Sequence, residues 1–233
     1  MAIHGKNGRI FVNGFNLTSY SKSASLDQSI DTVEVTTLGN DSKKYINGLD
    51  DVNFTNEGVY DDDASTLDLA LHNMKGVESI LSYYPAIDTK GNYGYGLKAI
   101  RTSANTAVSI TEEVNYSLSA QGSEGTDRII SITPEITIDE DSSTIALDLG
   151  LGGDGTNGGV LYFHTTAITG NVTVTVEDSA DNVTFETLHA IGAVTTTGGI
   201  RVELTGNIDR YIRVTLSDMV SESITFQAGI KVN

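Results

Sequence analysis

The sequence predicts a mainly β protein in two parts. The first is an N-terminal β-sandwich or half-barrel with one α-helix and a long inter-strand arm. The second is an all-β C-terminal sandwich. Three observations carry this prediction. The 233 residues include 24 Gly and only 2 Pro, amid many Thr, Val, Ile and Ser, a mix that favours short strands joined by glycine turns. Apolar residues recur mainly with a period of two, as in strands with one buried face. Turn signals in the second half return every ~8–12 residues, the spacing of sandwich strands.

The elements follow in order. Residues 10–17 read IFVNGFNL. Asn13-Gly14 between apolar residues predicts a hairpin, because a type I′ turn needs positive φ at both central positions. Residues 25–37 are extended, with Leu26 and Ile30 in one phase and Val33 and Val35 in the other. A change of phase predicts a bulge or strong twist. The segment 33–54, VEVTTLGNDSKKYINGLDDVNF, is too polar to be core. It is expected to protrude as a long arm between two strands and to touch another subunit, since an unusually long loop points to function or disorder. Val52, Phe54 and Tyr60 then share a face on the returning strand.

Leu67, Ala70, Leu71 and Met74 are spaced by three and four and predict a helix over about 65–75. Ser65 or Thr66 would cap it, Asp61, Asp62 and Asp63 suit the positive end of its dipole, and Gly76 stops it. Three aspartates can also serve a cation, but a helix start accounts for them. Residues 77–86 are extended, and 91–96, GNYGYG, form a loop. Val108, Ile110, Val114, Tyr116, Leu118 and Ala120 share one phase against Ser, Thr, Glu and Asn in the other, which predicts a sheet apolar inward and polar outward. Ile130, Ile132, Ile136 and Ile138 continue beyond Pro134.

The run DEDSS at 139–143 marks a change of character. Two domains are expected, 1–136 and 137–233. In the second, Val172, Val174 and Val176, then Ile200, Val202 and Leu204, then Ile212, Val214 and Leu216, and finally the alternation from Ile224 to Val232 mark strands. Turns are expected at Thr169-Gly170, 180–182, Gly198-Gly199 and Gly206-Asn207. Seven or eight strands result.

Composition limits function. The formal charge is -17, from 14 basic and 31 acidic residues. That disfavours nucleic-acid binding through phosphate neutralisation and attachment to anionic membranes. There is no cysteine, so disulfides, thiolate metal sites and catalytic thiols are excluded. No run approaches the ~18–20 apolar residues of a membrane helix, and the first residues lack a signal-peptide core. Synthesis in a reducing cytoplasm and no membrane insertion are expected.

Chemical motifs fail on context. Gly150, Gly152 and Gly155 spell GxGxxG after a strand-like run at 145–149, but glycine and strand follow where a dinucleotide site needs a helix. His4, His72, His164 and His189 show no metal-ligand spacing. His72 is expected on the exposed side of the helix, and His164 as a packed or surface residue. No GxSxG elbow occurs. DGTNGG at 154–159 lacks the alternating acids of a calcium loop. Glu112 and Glu113 would point to opposite faces of a strand and cannot form a glycosidase pair. An enzyme, a cofactor and a metal are not expected.

Two stretches resemble known families. Asp31, Thr36 or Thr37, Gly39, Ser42, Lys43, Tyr45, Ile46, Gly48, Leu49 and Asp51 resemble a segment of the major tail (tail-tube) proteins of long non-contractile phage tails. Gly5, Asn13, Gly14, Leu17 and Tyr20 fit their opening, so the likeness covers roughly 1–135. Asp178, Ser179, Asp181, Phe185, Arg210, Tyr211, Arg213 and Val214 resemble a sandwich domain often appended to such proteins. The resemblance implies a virion protein of a siphophage, assembled in the host cytoplasm. Its copies would form hexameric rings joined through one barrel, and the rings would stack into the tube that carries DNA to the host. Its partners would be itself, the tape measure, tail terminator and distal tail proteins, and DNA only in transit. The implied inter-ring arm comprises Thr37, Gly39, Asp41, Lys43, Lys44, Tyr45, Ile46, Gly48, Leu49, Asp50 and Asp51. The candidate lumen face is Thr111, Glu113, Asn115, Ser117 and Ser119, although an ordinary solvated face has the same composition. The C-terminal domain would project outside the tube. An alternative is a carbohydrate-binding or adhesion sandwich, but Trp is absent and no aromatic cluster suits a sugar.

Overall fold

The computed structural model describes residues 5–61, 67–86, 89–111, 113–150 and 157–233. It is mainly β, with antiparallel sheets and one α-helix, as the sequence predicts. In order the elements are β1 (Arg9–Val12), β2 (Phe15–Asn16), β3 (Ser21–Glu34), β4 (Tyr45–Val59), α1 (Leu67–Asn73), β5 (Glu78–Tyr84), β6 (Tyr93–Ala107), β7 (Asn115–Gly122) and β8 (Asp127–Ile138). There follow β9 (Ser142–Ser143), β10 (Leu147–Asp148), β11 (Gly159–Thr169), β12 (Val172–Ser179), β13 (Glu186–Val194), β14 (Gly198–Leu204), β15 (Tyr211–Ser217) and β16 (Ser223–Val232). The chain divides into two compact units: Met1–Ser19 with Ile80–Gly96 and Asp127–Asn233, and Tyr20–Ser79 with Leu97–Thr126.

The first unit is a sandwich. One layer runs β14-β11-β16-β8, and the other runs β10-β15-β12-β13 with β9 on β15. Between them lie Phe163 and Phe226, stacked at 5.2 Å, with Val174, Val176, Ile212 and Val214, all fully buried. On another side Phe11, Tyr84, Ile129 and Tyr162 form a smaller core. The Asn13-Gly14 hairpin is present, with φ of 46° and 79°. Gly14 also lies against the backbone of Thr165 and Gly198, where any side chain would collide.

The structure departs from expectation where close approach or pairing decides. The expected boundary at 136–137 falls inside β8, whose Ile136, Thr137 and Ile138 pair with Phe226, Thr225 and Ile224 of β16. Periodicity finds a strand but not its partner. GNYGYG is not all loop, because β6 begins at Tyr93. Its glycines make room for rings: a Cβ on Gly96 would sit 2.5 Å from the Tyr162 ring. Gly198-Gly199 is no turn but opens β14, opposite Thr165 and His164. The strand expected at 145–149 shortens to Leu147–Asp148.

The second unit is a four-stranded sheet in the order β3-β4-β7-β6. Its core holds Val52, Phe54, Leu97, Tyr116, Leu118 and Ala120, with Leu67, Leu71 and Met74 buried from the helical segment. Arg101 donates a hydrogen bond to the Leu71 carbonyl. His72 is exposed on α1, as expected. The cap residues Ser65 and Thr66, with Asp62 and Asp63, lie outside the described residues. So do Gly152 and Gly155, Asp154 and Glu112. Val108 and Ile110 do not point inward. They sit in the turn between β6 and β7 and are 78% and 103% exposed. The apolar phase continued past the end of the strand, where the turn ends the burial pattern.

Candidate assembly surface

The arm is a β-ribbon, not a loop. β3 and β4 pair from Ser21↔Gly58 out to Glu34↔Tyr45. β7 flanks β4 only as far as Asn53, opposite Gln121. Beyond that point the ribbon is two-stranded for eight residues of β4, about 26 Å at ~3.3 Å per residue. The expected bulge is present between Ile30 and Thr32. Gly48 lies there, and a Cβ on it would come within 2.9 Å of the Asp31 side chain and 3.0 Å of its carbonyl oxygen. At the tip the Val35 amide donates to the Lys44 carbonyl (2.8 Å), and the Lys44 amide to Thr36 Oγ1 (3.0 Å). Asn40 Nδ2 donates to Thr37 Oγ1 at 2.8 Å.

This ribbon carries an unusual amount of exposed apolar surface. Of the 17 large hydrophobic residues exposed among the described residues, seven lie between 30 and 49: Ile30, Val33, Val35, Leu38, Tyr45, Ile46 and Leu49. Exposed apolar patches mark interaction sites on soluble proteins. Among the residues named from the sequence, Thr37, Gly39, Asp41, Lys43 and Lys44 stand at the tip, and Tyr45, Ile46, Gly48, Leu49, Asp50 and Asp51 on β4. Lys43 forms an ion pair with Glu34 at 3.2 Å within the ribbon. Both side chains are well exposed, so this pair contributes at most a few tenths of a kcal/mol. Asp51 accepts a hydrogen bond from Gln121.

The polar face is broader than the sequence indicated. Residues opposite one another in a ladder share a face. Ser25 lies opposite Thr55, Thr55 opposite Ser119, Glu57 opposite Ser117, and Ser119 and Ser117 opposite Ser103 and Asn105. Ser25 and Thr55 hydroxyls are 2.9 Å apart. Asn115, Ser117 and Ser119 lie on β7, half-buried, while Thr111 and Glu113 belong to the exposed turn before it. Glu113 pairs with Lys22, which also donates to Asn115 Oδ1 at 3.1 Å. On the other face Asn56 is buried, receives the Tyr116 hydroxyl at 2.5 Å, and donates to Ser21 Oγ and the Ser23 carbonyl.

Residue pattern alone does not reveal the sheet's open edges. Among the described residues β3 has one ladder partner, β4. At the opposite side, beyond the Arg101–Lys75 bridge, Thr102–Ala107 of β6 is paired with β7 alone among the described residues. The polar run RTSANTA at 101–107 has too few apolar residues to announce a strand by pattern.

The buried titratable groups of the first unit hold the fold together. Burial works to raise the Asp127 pKa, but hydrogen bonds from Tyr162 (2.6 Å) and Lys231 (3.0 Å), with the charges of Lys231 and Arg201, hold it below the ordinary carboxylate value. Burial and Asp127 together push the Tyr162 hydroxyl up. His164 is fully buried, stacked on Phe11 at 5.8 Å, and burial lowers its pKa to about 3. Its Nδ1 accepts from the Gly14 amide at 3.4 Å and its Nε2 lies 2.9 Å from Ser82 Oγ. That assigns a neutral ring with the proton on Nε2. Among the described residues no three acidic or histidine side chains are grouped to hold a metal ion, and no helix is long and apolar enough to cross a membrane.

No family model and no curated protein matches the chain. Among solved structures it is similar to the tail of an empty gene transfer agent particle with C6 symmetry (17% identity, 55% of this chain and 98% of that chain, TM-score 0.46). It is also similar to the Dit protein of phage SPP1, described as a hub of the adsorption apparatus of phages infecting Gram-positive hosts (12% identity, 94% and 98%, TM-score 0.39). A third likeness is to the baseplate of phage p2 (9% identity, 95% and 97%, TM-score 0.35).

Proposed function

We propose that the chain is a structural subunit of a phage tail, that its copies close into a hexameric ring, and that rings stack into the tube through which DNA passes. The observation that carries this reading is the pair of open edges. Each neighbour in β3-β4-β7-β6 is antiparallel, so β3 and β6 run in opposite directions. The β6 edge of one copy therefore accepts the β3 edge of the next as a further antiparallel ladder, with every copy oriented alike. Closure by rotation uses a head-to-tail interface of this kind, and it removes the exposed edges that otherwise invite aggregation. The tail-tube resemblance of residues 31–51 supports the same reading and supplies the sixfold count.

In such a ring the hydroxyl- and amide-rich face of Thr55, Ser103, Asn105, Asn115, Ser117 and Ser119 lines the bore. It offers few cations to phosphates, and the surplus of acidic residues (formal charge -17) repels them, so DNA slides without adhering. Tape measure, tail terminator and distal tail proteins are the other partners of a subunit in this position, and the virion tail is its location. Light scattering across a concentration series tests the reading. It predicts a hexamer mass growing to larger multiples. A mass that stays at one chain at every concentration would refute it.

A further inference from the structure

Strand pairing in the first unit brings together tyrosines that are separate in the sequence. β8, β6 and β5 lie side by side. Tyr95 of β6 stands opposite Arg128 of β8, and Tyr93 opposite Ile130. Ladder partners share a face, as do residues two apart on one strand, so Tyr93, Tyr95 and Arg128 are on the same side. The other side of β6 is glycine: Tyr84 lies against Gly94, and Tyr162 against Gly96. Tyr83 alternates with Tyr84 along β5 and so falls on the side of Tyr95. Burial, and then the charge of Tyr95 beside it, raise the Tyr83 hydroxyl pKa. Tyr83 and Tyr95 are half-buried, and Tyr93 is 51% exposed. The exposed Arg128 stacks on the Tyr93 ring, 3.8 Å from its centroid. No such cluster is visible in the sequence, where residue 83 and the GNYGYG run belong to different elements.

We propose that Tyr83, Tyr93 and Tyr95, with Arg128, form a binding site for a neutral saccharide. A pyranose has an apolar C–H face and a rim of hydroxyls. A tyrosine offers an apolar ring and a hydroxyl that prefers a polar partner, so both parts of the sugar are met. The rings are spread along the face rather than heaped: neighbouring strands are ~4.8 Å apart, and residues two apart on a strand ~6.6 Å. Such a row follows a chain of sugar rings. Arg128 is held flat by Tyr93, and a stacked guanidinium retains its in-plane N–H donors for hydroxyl oxygens. Charge and composition narrow the ligand. Nucleic-acid bases also stack on aromatic rings, but a chain of formal charge -17 repels a polyanion and not a neutral sugar. The buried centre of a protein interface is mostly apolar, whereas this face presents hydroxyls and a guanidinium, and its aliphatic member Ile130 is half-buried.

The absence of tryptophan leaves tyrosine emission unmasked, so stacking on these rings can be read directly. The full chain is passed over immobilised cellulose, chitin, xylan and mannan, then titrated with the hexasaccharide of each polymer that retains it. Retention on at least one is expected, with a change in tyrosine emission. Tyr93→Ala and Tyr95→Ala should each weaken binding at least tenfold, about 1.4 kcal/mol, with circular dichroism unaltered. Tyr95→Phe keeps the ring face and should stay within about threefold of wild type, about 0.65 kcal/mol. Passage through all four polymers without retention would overturn the site, as would retention that the two alanine variants leave unchanged. Variants that instead alter the mass seen by light scattering would make this face a contact between copies and overturn the sugar site. The polymer retention does not depend on rings or tubes, so its failure leaves the tail-subunit reading in place.

Discussion

His164 should make the first unit sensitive to acid in a calculable way. The side chain is fully buried among Phe11, Ser82 and Gly14, and its pKa falls from 6.5 to about 3 because burial penalises the charged ring. Between those values the unfolded chain binds a proton that the folded chain refuses. Stability is therefore complete above pH 6.5 and declines as pH falls towards 3. At about pH 4.5, two units below 6.5, the loss is about 2.7 kcal/mol at 1.36 kcal/mol per unit. With a urea m-value of about 2–3 kcal/mol/M, the midpoint moves by about 1 M. Asp148, held down to about 2 by its hydrogen bonds from Arg210, loses its contribution only below this range. The comparison is with His164→Gln, which keeps an acceptor and a donor but does not ionise. Urea midpoints by far-UV circular dichroism at about pH 7.5 and pH 4.5 should show a steeper decline for the wild type. Equal declines in the two proteins would refute a buried neutral histidine.

Three further outcomes are expected. Gly58→Ala would drive a Cβ into the Tyr20 carbonyl and against the Tyr116 ring, so it should lower stability by about 1–3 kcal/mol; an unchanged denaturation curve would show that β3 and β4 do not approach there. Asp127→Ala leaves Lys231 and Arg201 without their shared carboxylate and should cost about 3 kcal/mol near neutral pH. That difference should shrink as acid protonates Asp127 in the unfolded chain, and a pH-independent difference would contradict it. Deleting residues 36–43 removes only the tip, so circular dichroism should be retained while stacking is lost; tubes of normal length would refute the arm's role.

Much of the architecture was legible because its signals are local. The Asn13-Gly14 turn, the period-two runs of Val172–Val176 and Ile212–Leu216, and the three-and-four spacing of Leu67, Leu71 and Met74 each follow from neighbouring residues. The change of phase around Ile30 correctly marked a bulge. What stayed hidden depends on distant partners. β16 completes the layer that contains β8, so the chain ends paired to a segment a hundred residues earlier. Gly94, Gly96 and Gly199 read as loop or turn but are strand positions approached by Tyr84, Tyr162 and Asn13. The outer half of β6, 102–107, was hidden because an edge segment with both faces largely wet has no apolar alternation to reveal it. The same wet edge is half of the proposed ring contact. The arm residues were visible as a polar insertion, but their exposed apolar side chains emerged only when the ribbon proved to be paired and yet to bury little.

Negative-stain electron microscopy of the purified full-length protein tests the central claim most directly. The account predicts sixfold rings that stack into tubes of uniform diameter. Rings that never stack would support a tail subunit but contradict a tube, and a field of single particles at high concentration would contradict the account altogether.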